Sequence, residues 1–433
     1  MNNFSFKKKE LQVSLNAFAF FLAWPFLDIL GNSIYFYIFI IILLYTKSVT
    51  GKYIQNSKAN KLFALFFFFG AISSITHPIL VNNPSIYNVF KSIIQLGYWC
   101  LIGSYFSSWF NRINIFLFSK WIFIGFVLNT LFFFLIKFKI NLFIINIDFI
   151  QSRNGFIFNT ICFSGLIFYY LYKTRSVKSF LFTIPFLNFI ILSTDGRAGA
   201  IILLLMSLLI IPMIISKYHG LIKFSIISAS LFLIIVSSDI SKFYTLAGRI
   251  VPYIQNIAPR FSDLLIGARP GGLALDKSWL IRQLMVDKGI EINKKHPVLG
   301  IGLNNFTKYS AELKTLPNYF GLFNEYHLGN ITYYNKKSSH NSYLSILAEL
   351  GYIGLILFLV IIIPTVFWVI KRIWNTKNKS ELDLLLVSFI GMLIHIYVIT
   401  AFTGANTWVL IGLTIGLKNQ HFLNEKRMSN YKN

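Results

Sequence analysis

Much of this chain consists of runs of close to twenty residues with few or no charges, and that property restricts its fold more than any other. Inside hydrocarbon a backbone finds no water for its N–H and C=O groups. A spanning segment must therefore pair them internally, as a helix of about 20 residues does across a core of about 30 Å. Counted on that basis, the sequence predicts spans near 11–29, 33–46, 62–80, 89–109, 115–136, 155–172, 179–194, 197–215, 221–237, 342–370, 382–402 and 404–417. The expected fold class is all-α, a polytopic membrane protein of about 12 transmembrane helices. Composition agrees. Only 13% of residues are charged and 55% are hydrophobic, where soluble domains carry about 25% charge, so a soluble globular reading is excluded.

The net charge of +25, from 40 basic and 15 acidic residues, could signal a nucleic-acid partner. Placement argues against it. With the N-terminus inside, the cytoplasmic segments hold twenty-two basic residues, from Lys7–Lys9 through Lys47–Lys61 and Lys371–Lys379 to the tail beyond Lys418. The short outside loops hold five: Lys91, Lys137, Lys139, Arg153 and Arg197. Such asymmetry sets the orientation of membrane proteins and places both termini in the cytoplasm. The run after Lys9 resembles a signal peptide, but it is long for one and rich in Phe and Leu, so an uncleaved first helix is expected. Cys100 and Cys162 lie in apolar stretches and read as small buried hydrophobes.

One connection departs from the short-loop pattern. Residues 238–340 separate the spans of 1–237 from those of 341–417, ahead of a cytoplasmic tail at 418–433. They carry 13 basic and 7 acidic residues and five prolines. A connection of that length is usually functional, and it is expected to form a small extracytoplasmic domain with a helix near 276–293.

Where this loop re-enters the membrane the sequence reads HNSYLSILAELGYIGL from His340. If the helix runs on from His340, Gly351 falls about 20° and Gly354 about 40° from it around the axis, giving a histidine above a glycine-floored groove. An interfacial histidine above a helix-packing glycine face fits the same spacing, and the two readings stay open on geometry alone. The other histidines, His77, His219, His296, His327, His395 and His421, show no metal-ligand spacing. No Gly-rich phosphate loop with Lys-Ser/Thr is present either. Glu349, inside the tenth span, is a candidate by its depth, for function or as a partner to an Arg or Tyr.

These residues match a pattern of His, then Asn, Ser or Gln, nine residues, Gly, two residues, then Gly, Thr or Tyr. His340, Asn341, Gly351 and Gly354 fill it, and the pattern resembles that of the O-antigen ligase and polymerase superfamily. Upstream, HPVLGIGLNNF, with His296, Pro297, Gly300, Gly302 and Phe306, is similar to the family's His-Pro-x-x-Gly-x-Gly turn. Arg282 stands fourteen residues before His296, where the family places an essential arginine, although Val286 replaces the family's usual Trp. Arg197 in STDGRAGA and Arg153 with Gly155 and Asn159 resemble two further arginine elements.

The resemblance implies a GT-C-like membrane glycosyltransferase of the bacterial inner membrane that needs no metal or other cofactor. Its donor would be an undecaprenyl-diphosphate glycan, held at the diphosphate by Arg197, Arg282 and Arg153, since arginine offers a forked donor that keeps its charge. The acceptor would be a lipid A-core sugar or a second lipid-linked glycan, making a ligase or a polymerase. His340 would be the general base, with Asn341 orienting the ring or the sugar and Gly300, Gly302, Gly351 and Gly354 in support. His296 reads as part of a tight turn. The competing class is a transporter of the same lipid-linked glycan, but transporters place polar sites near the midplane, whereas here the basic groups lie at the outer surface.

Reporter fusions test the orientation. An enzyme active only outside the cell membrane is expected to work when joined near Lys308 and to fail near Lys377; the reverse would invert the topology.

Overall fold

The computed structural model describes residues 2–24, 28–29, 32–76, 86–137, 153–174, 187, 199, 202–203, 205–206, 277–309, 337–374, 380–397, 399–402 and 404–430. The expected spans at 179–194, 197–215 and 221–237, and most of 238–340, lie outside these. Among the described residues the fold is helical: α1 (Asn2–Ala23), α2 (Ile34–Thr50), α3 (Lys58–Thr76), α4 (Ile86–Trp109), α5 (Ile115–Lys137), α6 (Arg153–Thr174), α7 (Lys277–Lys295), α8 (Ser342–Trp374), α9 (Leu384–His395) and α10 (Ala405–Asn430). The one sheet is a two-residue antiparallel pairing of Asp28–Ile29 with Asn32–Ser33.

Four of these helices, Lys58–Thr76, Ile115–Leu135, Asn154–Thr174 and Ser342–Trp374, are long and apolar enough to cross a membrane, and Ile34–Thr50 is a shorter apolar helix. Their outward faces are apolar as well. On α3, Leu65, Phe68, Ile72 and Ile75 are all at least 50% exposed and lie on one side. Solvent would penalise that stripe, whereas lipid does not. Together these features make the chain a membrane-embedded helical protein.

Inside, small residues let backbones approach. Gly412 and Gly416 are four apart on α10, and a Cβ on Gly412 would lie 2.5 Å from the Gly103 carbonyl of α4. Transmembrane helices associate through such small-xxx-small faces because lipid supplies no hydrophobic drive between them. The aromatic core follows from that approach, with Trp408 packed among Phe63, Phe66 and Phe358. Gly165 of α6 meets α9 similarly, its N–H donating to Ser388 Oγ at 2.5 Å. At the other end of α8, the buried Arg372 guanidinium grips Asp383 through Nε and Nη2, at 3.1 and 3.0 Å, and ties α8 to the start of α9.

Several boundaries differ from the sequence expectation: α1 runs Asn2–Ala23 where 11–29 is expected, α3 runs Lys58–Thr76 where 62–80 is expected, and the last two spans differ as well. The α-helix of the eleventh span, expected at 382–402, runs only from Leu384 to His395, after a 3-10 turn at Glu381–Asp383, and the described residues between it and α10 are not helical. Its backbone is engaged by the start of α8: Ser342 N–H donates to the Ile396 carbonyl at 2.8 Å, and Ser342 Oγ to the Ile399 carbonyl at 2.9 Å. The last helix runs past its expected end at 417 to Asn430.

The largest correction concerns α8. It does not run on from His340: it starts at Ser342 and breaks at Gly351, where φ is 64° and ψ −168°. A break frees backbone groups that the i→i−4 ladder would have paired, and each needs another partner. The turn after α7 supplies them. Ile301 and Gly302 N–H donate to the Ala348 and Glu349 carbonyls at 3.0 and 2.8 Å, and Tyr352 N–H donates to the Pro297 carbonyl at 2.8 Å. The approach leaves no room for side chains. A Cβ on Gly351 would sit 2.3 Å from the Val298 carbonyl oxygen, and one on Gly300, at φ 68°, would sit 2.4 Å from the Glu349 carbonyl carbon.

Gly351→Ala therefore combines left-handed strain with a backbone clash and is expected to destabilise by about 3 kcal/mol or more. Gly51 shares the left-handed φ, at 73°, with nothing within 4 Å, so Gly51→Ala should cost only about 1 kcal/mol. Thermal unfolding of both variants in one detergent checks this; equal shifts would contradict the docked turn.

Candidate functional site

The segment that carries His340 is held from three sides. Ser339 Oγ contacts Ser345 Oγ at 2.5 Å and Thr400 Oγ1 at 2.9 Å, and donates to the Asn341 carbonyl at 2.7 Å. Asn341 Oδ1 accepts from Leu344 N–H at 3.1 Å, as a helix N-cap does. Asn341 is thus a cap of α8, and its side-chain oxygen serves the backbone. Between these anchors His340 adopts φ 51°. A non-glycine residue in that left-handed region is strained by about 1–3 kcal/mol and persists only where its surroundings over-determine it.

Helix α7 brings the second group. Gly289 packs on α8 so closely that a Cβ there would lie 2.5 Å from Leu344 Cδ1. Arg282 is seven residues earlier, two turns along the same face, which carries it toward the residues just before α8. Its exposed guanidinium acts electrostatically on His340 and on His395. Burial first, then the charges of Arg282 and Lys337, hold the His340 imidazole below its ordinary value. Both effects favour the unprotonated imidazole over its charged form.

The glycines do not floor a groove beneath His340. With α8 starting at Ser342 and broken at Gly351, the 100° count from His340 does not apply, and Gly351 marks the docking point of the turn. A Cβ on Gly354 would meet Leu350 Cβ, the last residue before the break. Gly302, at φ 79°, is a second left-handed hinge of the same turn. Glu349 completes it: its buried carboxylate accepts from Phe306 N–H at 3.1 Å, so it caps residues 304–306 rather than an Arg or a Tyr hydroxyl. Ser73 and Ser74 of α3 hold the other side, Ser73 Oγ donating to the Leu299 carbonyl at 2.5 Å and Ser74 Oγ accepting from Leu303 N–H at 3.2 Å.

His296 closes α7, its N–H donating to the Ile292 carbonyl at 2.8 Å and its ring edge-on to Tyr309. Burial and the neighbouring Lys295 lower its pKa. Lys288, fully buried, places Nζ 4.8 Å over the Phe306 ring, and burial pulls its ammonium down to about 8. Arg153 opens α6, but its side chain, like Arg197 as a whole, lies outside the described residues. Asn159 of that same element is bonded by the Asn406 amide. His395 is the neighbour that sequence reasoning passed over: it is 3% exposed, packs its ring 5.8 Å from that of Phe158, and ends α9 one residue before the carbonyl that holds Ser342.

The Arg282 field on His340 can be measured. In Arg282→Gln the His340 titration is expected to move up toward about 6.5. Because a depressed imidazole takes up its proton only below that value, the base-competent fraction falls with acidity later in the wild type than in the variant. Ring-proton NMR of His340 checks the direction; an unmoved titration would separate the two groups.

One family model, described as O-antigen ligase, matches residues 140–359. The match contains Arg153, Arg197, Arg282, the 296–306 turn, His340 and the broken start of α8. Among curated proteins none matches the chain. With just over half of its 433 residues matched to that one model, the chain belongs to the O-antigen ligase family.

Proposed function

We propose that this protein is a glycosyltransferase acting at the outer face of the bacterial inner membrane, moving a glycan from undecaprenyl diphosphate to a sugar hydroxyl of lipid A-core. The observation that carries the reading is that Arg282 lies within electrostatic reach of His340, whose protonation burial and that charge disfavour. In the transfer, His340 takes the proton from the acceptor hydroxyl as that oxygen forms its bond to the anomeric carbon. The bond from that carbon to the diphosphate breaks, and the leaving diphosphate keeps the electron pair. Arg282, with Arg197 and Arg153, compensates its charge through forked hydrogen bonds. No cofactor enters these steps. The complete His340-to-Gly354 element favours the ligase branch over repeat-unit polymerisation.

The test supplies purified protein with a defined undecaprenyl-diphosphate glycan and either lipid A-core or a second lipid-linked glycan. Transfer to the first acceptor is the expected result, and transfer to the second alone would make the protein a polymerase. His340→Gly then isolates the chemistry: it relieves the left-handed backbone, so thermal stability should hold or rise, while turnover should fall roughly 10²–10⁴-fold. Near-wild-type transfer by His340→Gln, which keeps a hydrogen bond but no basic nitrogen, would end the general-base role.

A further inference from the structure

A cavity of about 290 Å³ opens beside this site, between the start of α6 and the segment that follows α9. In the expected topology, its described lining comes from outer ends: Leu22 near the end of α1, Tyr35 at the start of α2, Gly155 and Asn159 in the first turns of α6, and the 400–406 segment. It therefore faces the compartment in which the glycan is handled.

We propose that this cavity is a sugar subsite that seats one pyranose ring of the glycan being transferred or extended; the assignment rests on the glycan-transfer reading above. Three observations support it. First, the lining is uncharged: among the described residues it offers amides, a threonine hydroxyl, a tyrosine and glycines, with no Lys, Arg, Asp or Glu. A diphosphate would need cations, so the fitting ligand is neutral and hydroxyl-rich. Second, the two amides are set in place by each other. Asn406 Nδ2 donates to Asn159 Oδ1, which leaves donors on Asn159 and a carbonyl acceptor on Asn406 for neighbouring hydroxyls.

Third, the cavity adjoins the base. Thr400 lines it and bonds Ser339, the residue before His340. A ring seated there is next to the segment that presents the imidazole. Phe158 adds an apolar wall for the C–H face of a sugar, and the bare backbone of Gly155 and Gly404 leaves space for the ring. The volume lies at the lower edge of the ~300–1,000 Å³ of small-molecule sites, room for one ring rather than a whole repeat unit.

The test uses the full protein in nanodiscs and two variants. Ala401→Leu fills the cavity without touching the backbone bonds at Ala401, and Asn406→Leu removes an amide. Saturation-transfer NMR with the methyl glycosides of glucose, galactose and N-acetylglucosamine reads sugar binding. Undecaprenyl diphosphate, which carries no sugar, is the control for an intact fold. The wild type is expected to bind at least one glycoside. Both variants should weaken that binding at least about tenfold while keeping undecaprenyl-diphosphate binding within about twofold. A matching rise in KM for the acceptor alone, or for the donor alone, supports the subsite and says whose ring it holds.

If no glycoside binds a wild type that still transfers glycan, the subsite is overturned and the transfer reading stands. If glycosides bind and are lost in the variants but no transfer occurs, the subsite stands and the transfer reading falls. Unchanged binding and KM in Ala401→Leu, with a higher melting temperature, would identify a packing void and overturn the proposal.

Discussion

The geometry around His340 depends on one exchange of backbone hydrogen bonds. By breaking at Gly351, α8 gives up pairs of its own ladder and takes them from the 297–302 turn instead. In a low-dielectric environment an unpaired N–H or C=O costs several kcal/mol, so break and turn require each other. The loop helix α7, immediately before that turn, is thereby fixed against α8 in one register. A slide of one residue would rotate Arg282 by about 100° away from His340. Glu349 and the serine pair of α3 reinforce the same joint from two directions.

In the proposed transfer, that joint lets the Arg282 guanidinium meet two demands. Positive charge near a leaving diphosphate favours the transition state, and the same charge near an imidazole disfavours its protonation. A base next to a cation is a weaker base, yet it stays unprotonated where a free histidine would begin to charge. The left-handed backbone at His340 fits this picture. Strain tolerated at one residue, inside a segment anchored through Ser339, Asn341 and Ser342, holds the ring in a pose that relaxed backbone would not adopt.

Much of this was legible in the sequence, for identifiable reasons. Apolar run length marked α3, α5, α6 and α8, and the loop helix, expected at 276–293, is found at Lys277–Lys295. His340 with Arg282 could be singled out because both residue types carry chemistry and stand at family spacing. The helix break was not legible: Gly351 reads equally as a small residue on a smooth face, and only the partner strand of backbone at 297–302 reveals that it is a hinge. Nor could periodicity give the role of Glu349, which depends on backbone groups far away in the sequence, while the local cap at Asn341 was masked by the expectation that the helix runs on from His340. The end of α9 at His395 was hidden for a similar reason, because Ile396 and Ile399 are apolar side chains whose carbonyls serve another helix.

The division of the chain carries a further consequence. Arg153, Arg197, Arg282 and His340 all fall within 140–359, the stretch matched to the O-antigen ligase family. The proposed sugar subsite draws Leu22, Tyr35 and residues 400–406 from outside it. The pieces from α1 and α2 are held by contacts away from His340, whereas the segment after α9 is tied to the His340 segment through Thr400–Ser339 and through Ala401 N–H donating to Ser342 Oγ. Phe18 packs on Tyr35, and the Gly412–Gly416 face seats α10 against α4. A change at Leu22 or Tyr35 is thus separate from the His340 segment, while a change at Thr400 reaches it. On the proposed transfer and subsite, a difference in sugar preference between two such enzymes is reachable by substitutions in α1, α2 and the cavity-lining residues after α9, because a neutral pocket discriminates through shape and hydroxyl placement.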